Sequence, residues 1–246
     1  CEADFDLGMR SNFAATHQLL EACRAQTASG KQPALVFASS LAVFGDSPQQ
    51  PMPAVITDTS LPTPQGSYGI QKFIGEQMVA DYARKGFVKG RSVRLMTVSV
   101  RPGKPNGAAS GFLSGMIREP LANLSAQIPV PASTPVALAS PARTVEGILR
   151  AAEVSDEAWG ARTAVNLPAL TTTVGEMAAA LEKVAGPQAT ALLDWKIDPA
   201  IERLVSSWPS KVDAARARAL GLQADTSFED IVRGYIAGNP AAVSLK

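Results

Sequence analysis

The residues whose types and spacing most directly suggest chemistry are Tyr68-Gly69-Ile70-Gln71-Lys72. On a helix, a tyrosine and a lysine four apart stand one above the other on the same face. A free phenol, with a pKa of about 10, is a poor base at neutral pH. A nearby ammonium favours the phenolate, and the positive end of a helix adds to the effect. Bringing the phenol about three pH units lower takes roughly 4 kcal/mol of differential stabilisation, which burial beside a cation can supply. The pair would then act as a general acid/base. Taken alone, the same spacing also fits a solvated lysine beside a surface tyrosine. A further hydroxyl, Ser40, ends a short apolar run and precedes Leu41-Ala42-Val43-Phe44-Gly45. A strand-end hydroxyl is where an open α/β sheet places a substrate contact.

Those side chains need a sheet and a helix to hold them. The periodicity predicts a helix from Asp4 to Thr27, then a strand at Ala34-Leu35-Val36-Phe37-Ala38 that ends in Ser39-Ser40. Its continuous rather than alternating hydrophobicity predicts burial on both faces, as in a parallel sheet. A proline-rich loop from Pro48 to Pro64 leads to a helix from Tyr68 to Lys85, with Phe73, Met78, Val79 and Tyr82 as its apolar positions. Val93 to Val100 reads as a second buried strand, stopped by Arg101-Pro102-Gly103. Alternating helices and buried strands predict an α/β, doubly wound parallel sheet. After Gly103 the texture changes to small residues and prolines, so a smaller lobe is expected. Helices are predicted at Met116 to Leu121, Thr144 to Val154, Val174 to Val184, Asp213 to Leu220 and Phe228 to Ile236, with a strand at Ala161 to Leu167. The expected division is 1–103 with about 140–170 in the larger domain, and about 104–139 with 171–246 in the smaller lobe.

Composition narrows the function. The 246 residues are 46% hydrophobic and carry 23 Lys and Arg against 22 Asp and Glu, a net charge of +1. That is ample for a core and offers no global field to hold nucleic acid or an anionic membrane. Neither partner is expected. No apolar run approaches the roughly 18 residues of a membrane span, and Cys1 and Cys23 are too few for a disulfide framework, so the cytoplasm is the expected compartment. The one histidine, His17, shares a helical face with Phe13 and Leu20 and reads as structural or surface. A metal site or a histidine-based triad would need more, so no metal is expected. The chain starts at Cys1-Glu2-Ala3-Asp4 with no initiator Met and no targeting segment, and enters a helical pattern at once. It is therefore expected to continue upstream.

Three motifs in order, Ser39-Ser40-Leu41-Ala42-Val43-Phe44-Gly45, Ser67-Tyr68-Gly69-Ile70-Gln71-Lys72 and Arg101-Pro102-Gly103, resemble the extended short-chain dehydrogenase/reductase family, the NAD-dependent epimerases and dehydratases. Asn12-Phe13-Ala14-Ala15-Thr16 is similar to that family's Asn-x-x-Gly-Thr helix, with Ala15 in place of glycine. The resemblance implies a Rossmann-like fold and three catalytic residues: Tyr68 as general acid/base, Lys72 holding the nicotinamide ribose and tuning Tyr68, and Ser40 hydrogen-bonding the reacting oxygen. It places Asn12 and Pro102 near the cofactor, and implies a homodimer paired through the helix bearing Tyr68 and Lys72. The family's opening strand, Gly-rich turn and NAD-or-NADP-selecting residue have no counterpart here, and the chain resembles a member starting roughly a quarter of the way in. NAD is the implied cofactor, with NADP left open.

The second half resembles the D-erythronate dehydrogenase subgroup. The resemblance rests on Arg101-Pro102-Gly103-Lys104-Pro105-Asn106, the segment from Ser110 to Leu121, Ser140 to Gly147, and Val205-Ser206-Ser207-Trp208-Pro209. It implies oxidation of a small sugar acid at carbon 2, with hydride passing to NAD and the hydroxyl proton to Tyr68. The planar fork of an arginine suits the substrate carboxylate, with Arg143 as the first candidate and Arg118 as the second. Either could instead form an ion pair on the surface or between lobes. Asn106 and Ser110 could contact substrate hydroxyls or simply form a tight turn. Two other readings compete: a nucleotide-sugar epimerase or dehydratase that keeps NAD tightly bound, and a non-catalytic Rossmann-like binding module.

Overall fold

The strand expected before Ser40 forms as Ala34–Ser40 and pairs in parallel with Lys89–Leu95, from Ala34 opposite Lys89 to Ser40 opposite Leu95. This is a computed structural model, and it describes residues 1–104 and 108–245. Parallel neighbours need a crossover, which the helix Ser67–Arg84 provides. It packs on both strands, and the helix Ala15–Ala28 packs on it in turn. Val165–Asn166 adds a third parallel strand beside Lys89–Leu95.

By its contacts the chain divides into two compact units. The first comprises Cys1–Met96, Thr144–Pro168 and Val212–Gln223; the second comprises Thr97–Arg143, Ala169–Lys211 and Ala224–Lys246. The first unit is the parallel α/β layer. Its N-terminal helical stretch begins as Phe5–Gly8, runs through a π-helical turn at Met9–Ala14 and continues as Ala15–Ala28. Val212–Gln223, expected in the smaller lobe, packs here because Ala214, Ala217, Leu220 and Leu222 share a core with Val93, Val165 and Trp159. Asp58 pins the segment in place, its carboxylate accepting the backbone N–H of Arg216 at 2.9 Å and that of Asn166 at 3.4 Å.

The second unit is built on a mixed sheet in which Pro135–Ala139 pairs in parallel with Thr97–Val98 and antiparallel with Leu170–Thr173. The helices Phe112–Leu121, Val174–Ala185 and Phe228–Gly238 bury Leu113, Ile117, Met177, Leu181 and Val232 in one core. A capping box starts Val174–Ala185, with Thr173 Oγ1 accepting from Glu176 N and the Glu176 carboxylate accepting from Thr173 N. No helix among the described residues is long and apolar enough to cross a membrane.

Three further expectations differ from the structure. The stretch to Val100 is two strands, Lys89–Leu95 and Thr97–Val98, in different sheets; buried Met96 separates them, and no glycine or proline marks the break. Along the strand Ala34–Ser40, the outer strand among those described in its sheet, Ser39 is fully buried and the others are half-buried or exposed. The helix Ser67–Arg84 buries Gly69, Gln71, Gly75 and Glu76 beside Val79, while Phe73, Met78 and Tyr82 are half-buried. It packs by close backbone approach and polar contacts more than by large apolar side chains.

Candidate active site

The first turn of the helix Ser67–Arg84 sets the site. The Glu2 carboxylate accepts the Ser67 backbone N–H, placing an anion at the helix start where the dipole favours one. A Cβ at Gly69 would lie 2.0 Å from the carbonyl oxygen of Ala42, so only glycine lets this turn reach the short 3₁₀ segment Leu41–Val43. Ser40 caps that segment, its Oγ accepting from Ala42 N at 3.2 Å. As an acceptor there, the Ser40 hydroxyl keeps its proton to donate. The Gly69–Ala42 contact thus ties the strand end bearing Ser40 to the helix start bearing Tyr68.

Tyr68 is 41% exposed, which leaves it accessible to a small molecule. The Lys72 ammonium lies 5.7 Å from the centroid of its ring and 5.0 Å from that of Phe37. Lys72 Nζ donates to the carbonyl of Ala38 at 2.9 Å. Burial pushes the Lys72 ammonium below its usual range, and a desolvated charge acts more strongly on its neighbours than a hydrated one. Asn12 sits in the π-helical turn, an insertion frequent at functional sites. Its Nδ2 donates to Gln71 Oε1 at 2.8 Å and to Cys1 Sγ at 3.1 Å.

Ser40, Tyr68, Lys72 and Asn12 therefore share the first unit; Pro102, Arg118 and Arg143 belong to the second. Pro102 is exposed. Arg118 Nη1 donates to the Arg101 carbonyl at 2.9 Å and Nη2 to Glu119 Oε1 at 2.5 Å, so its fork is engaged locally. Arg143 lies in the first turn of the helix Pro141–Glu153, its backbone N–H donating to Ser140 Oγ at 3.2 Å. Asn106 lies outside the described residues. His17 is exposed beside Phe13, and no group of three His, Cys, Asp or Glu able to hold a metal occurs among the described residues.

Sequence reasoning missed the buried polar groups next to the site. Gln71 is 2% exposed, with no partner for its Nε2. Glu76, Arg94 and Ser39 form a buried cluster. The available signals were a carboxylate four residues beyond Lys72 and an arginine between Val93 and Leu95.

Residues 3–134 match the model of the NAD dependent epimerase/dehydratase family. With the parallel α/β layer, this defines a Rossmann-type oxidoreductase of the extended short-chain dehydrogenase class, using a nicotinamide cofactor. Over 96% of its length the chain is 47% identical to a D-erythronate dehydrogenase of Cupriavidus necator and 38% identical to one of Haemophilus influenzae, spanning 70% and 72% of those proteins. A solved structure described as the nucleoside-diphosphate-sugar epimerase from Agrobacterium tumefaciens is 43% identical with a TM-score of 0.91, covering 100% of this chain and 70% of that one. L-threonine 3-dehydrogenase from Trypanosoma brucei, 23% identical, shares the fold with a TM-score of 0.82 over 98% of this chain and 72% of its own. The chain belongs to the NAD dependent epimerase/dehydratase family.

The side chains present fit the ribose end of such a cofactor. An ammonium has three protons to donate, and among the described residues Lys72 gives one, to Ala38 O. The others suit a vicinal diol. The family's Gly-rich pyrophosphate turn has no counterpart among the 246 residues.

Proposed function

We propose that the protein oxidises a small sugar acid at its carbon-2 hydroxyl, in the manner of D-erythronate to 2-oxo-erythronate, with NAD as oxidant. The observation that carries this reading is the Lys72 ammonium beside the Tyr68 ring, on a helix start that meets the turn after Ser40, in a chain 47% and 38% identical to two D-erythronate dehydrogenases. Bound NAD supplies the hydride acceptor. Tyr68 takes the hydroxyl proton as the carbon–hydrogen bond breaks. Lys72 keeps its positive charge beside the Tyr68 ring, favouring the anionic form that accepts the proton, and its remaining donors hold the ribose hydroxyls. Ser40 donates to the substrate oxygen while anchored through Ala42 N–H. Asn12 and Pro102 contribute on the cofactor side. Arg143 anchors the substrate carboxylate and Asn106 contacts hydroxyls, while Arg118 would serve as a second anchor only by releasing the Arg101 carbonyl and Glu119.

A second reading is favoured by the epimerase description of the Agrobacterium tumefaciens structure. There the same Ser40, Tyr68 and Lys72 would act on a nucleotide sugar, and the bound NAD would be regenerated in each cycle. We further propose a cytoplasmic protein that pairs as a homodimer through the Tyr68 helix.

The deciding experiment follows nicotinamide reduction by the full-length protein, with NAD and with NADP, against D-erythronate, L-threonate and their epimers. Reduction with an acid is expected, with NAD preferred. No net reduction with any acid, together with turnover of a nucleotide sugar, would overturn the first reading in favour of the second. No turnover of either, with NAD still bound, would leave a binding module.

A further inference from the structure

Glu76 continues the stripe of Tyr68 and Lys72 along the same helix, four residues further on. It is 2% exposed. Arg94 grips it with two parallel bonds, Nε to Oε1 at 2.9 Å and Nη2 to Oε2 at 2.7 Å. Ser39 Oγ–H donates to the same Oε1 at 2.5 Å. Arg94 is the Cα partner of Ser39 on one side and of Asn166 on the other, so three polar residues stand in one row across three strands. All are buried. The Arg94 guanidinium also lies 4.8 Å from the centroid of the Phe44 ring.

A buried ion pair is a weak source of stability, because desolvating both charges offsets most of their attraction and an apolar pair of the same volume often does as well. Its position here suggests a different role. Ser39 lies between Ala38, whose carbonyl receives the Lys72 ammonium, and Ser40, whose Oγ is the strand-end hydroxyl. Clamping Ser39 to Glu76 therefore fixes both neighbours against the helix that carries Tyr68 and Lys72.

We propose that Glu76, Arg94 and Ser39 are positioning residues that hold Ser40 and Lys72 in reactive register with Tyr68. The proposal rests on the roles given above to Ser40, Tyr68 and Lys72. A misplacement of the reacting groups by about 1 Å can lower a rate on the order of 100-fold, so a cluster that removes a fraction of that freedom should be visible in kcat.

The test uses two variants of the full-length enzyme. S39A removes one hydrogen bond and leaves the ion pair intact; it should lower kcat about tenfold while KM stays within twofold and the melting temperature within a few degrees. E76M/R94M replaces the pair with apolar side chains of similar volume; it should fold at or above the wild-type melting temperature with an equally reduced kcat. In the S40A background, adding S39A should cost less than it does in the wild type, because the two act through one group. A wild-type kcat in S39A would overturn the proposal, as would losses in kcat that simply track losses in melting temperature. Should E76M/R94M fail to fold, S39A decides alone. An active Y68F enzyme would instead overturn the underlying reading of the site, so the two failures are distinguishable.

Discussion

A single methyl group at position 69 should disable the enzyme. The Cβ of G69A would lie 2.0 Å from the oxygen and 2.9 Å from the carbon of the Ala42 carbonyl, and 3.0 Å from Pro64 Cβ. The nearest partner is backbone, so no rotamer change relieves the clash. Since Cβ atoms essentially never approach closer than 3.0 Å, the helix start and the Leu41–Val43 turn must separate by about 1 Å, a displacement worth on the order of 100-fold in rate. Ser40 is on one side of that contact and Tyr68 on the other. Overpacking of this kind also costs about 1–3 kcal/mol, roughly 2–12 °C in melting temperature for a chain of this size. Steady-state kcat and KM by nicotinamide absorbance, with a thermal melt of each protein, separate the two effects. G75A is the control. Its Cβ would meet the Phe37 ring at 2.4 Å, a side chain that can shift, so it should lose comparable stability and less than tenfold in kcat. A G69A enzyme with kcat within threefold of wild type, or a G75A enzyme as impaired as G69A, would refute the reasoning.

Y68F removes only the titrating oxygen and should abolish turnover with an unchanged circular dichroism spectrum and melting temperature; retained activity would contradict the acid/base role. K72M should abolish activity yet raise the melting temperature at pH 7. Burial holds the Lys72 ammonium below its usual 10.5, so the native state carries the full penalty while the lysine is protonated. Wild-type stability recovers as pH rises from the lowered native value towards 10.5, where the native state has lost the proton and the unfolded chain still holds it. The K72M advantage should shrink over that window, and a constant gap measured by thermal melts at pH 7 and pH 10 would refute it. R143A should raise KM at least tenfold for acid substrates and much less for an uncharged analogue, and equal effects on both would remove its anchoring role.

The proximity of Tyr68 and Lys72 is legible in the sequence because it is local. Tyr68 and Lys72 are one helical turn apart, and Ser40 ends a strand whose limits hydrophobicity alone reveals. What supports them was not legible, because it depends on register between distant segments. Ser39 meets Arg94 only through strand pairing, and both meet Glu76 only through helix packing. Asn12 could be flagged by resemblance, but its hydrogen bond to Gln71 depends on a π-helical turn with no marker residue. Gly69 was in plain view in the motif, and its purpose emerges only from the Ala42 carbonyl opposite. No glycine or proline flags Met96 either, where the chain leaves one sheet for another. The segment Val212–Gln223 carries the alternation of a short helix, which does not say which core the helix joins.

The chain passes from one unit to the other after Met96, Arg143, Pro168, Lys211 and Gln223. Neither unit is therefore a cassette. An exchange of the second unit with that of a relative would need a crossover at each of these points, and a single recombination event would splice two incompatible cores. Diversification of such an enzyme is expected to proceed by point substitutions and loop-length changes within each unit, and a chimera library should be cut at these positions.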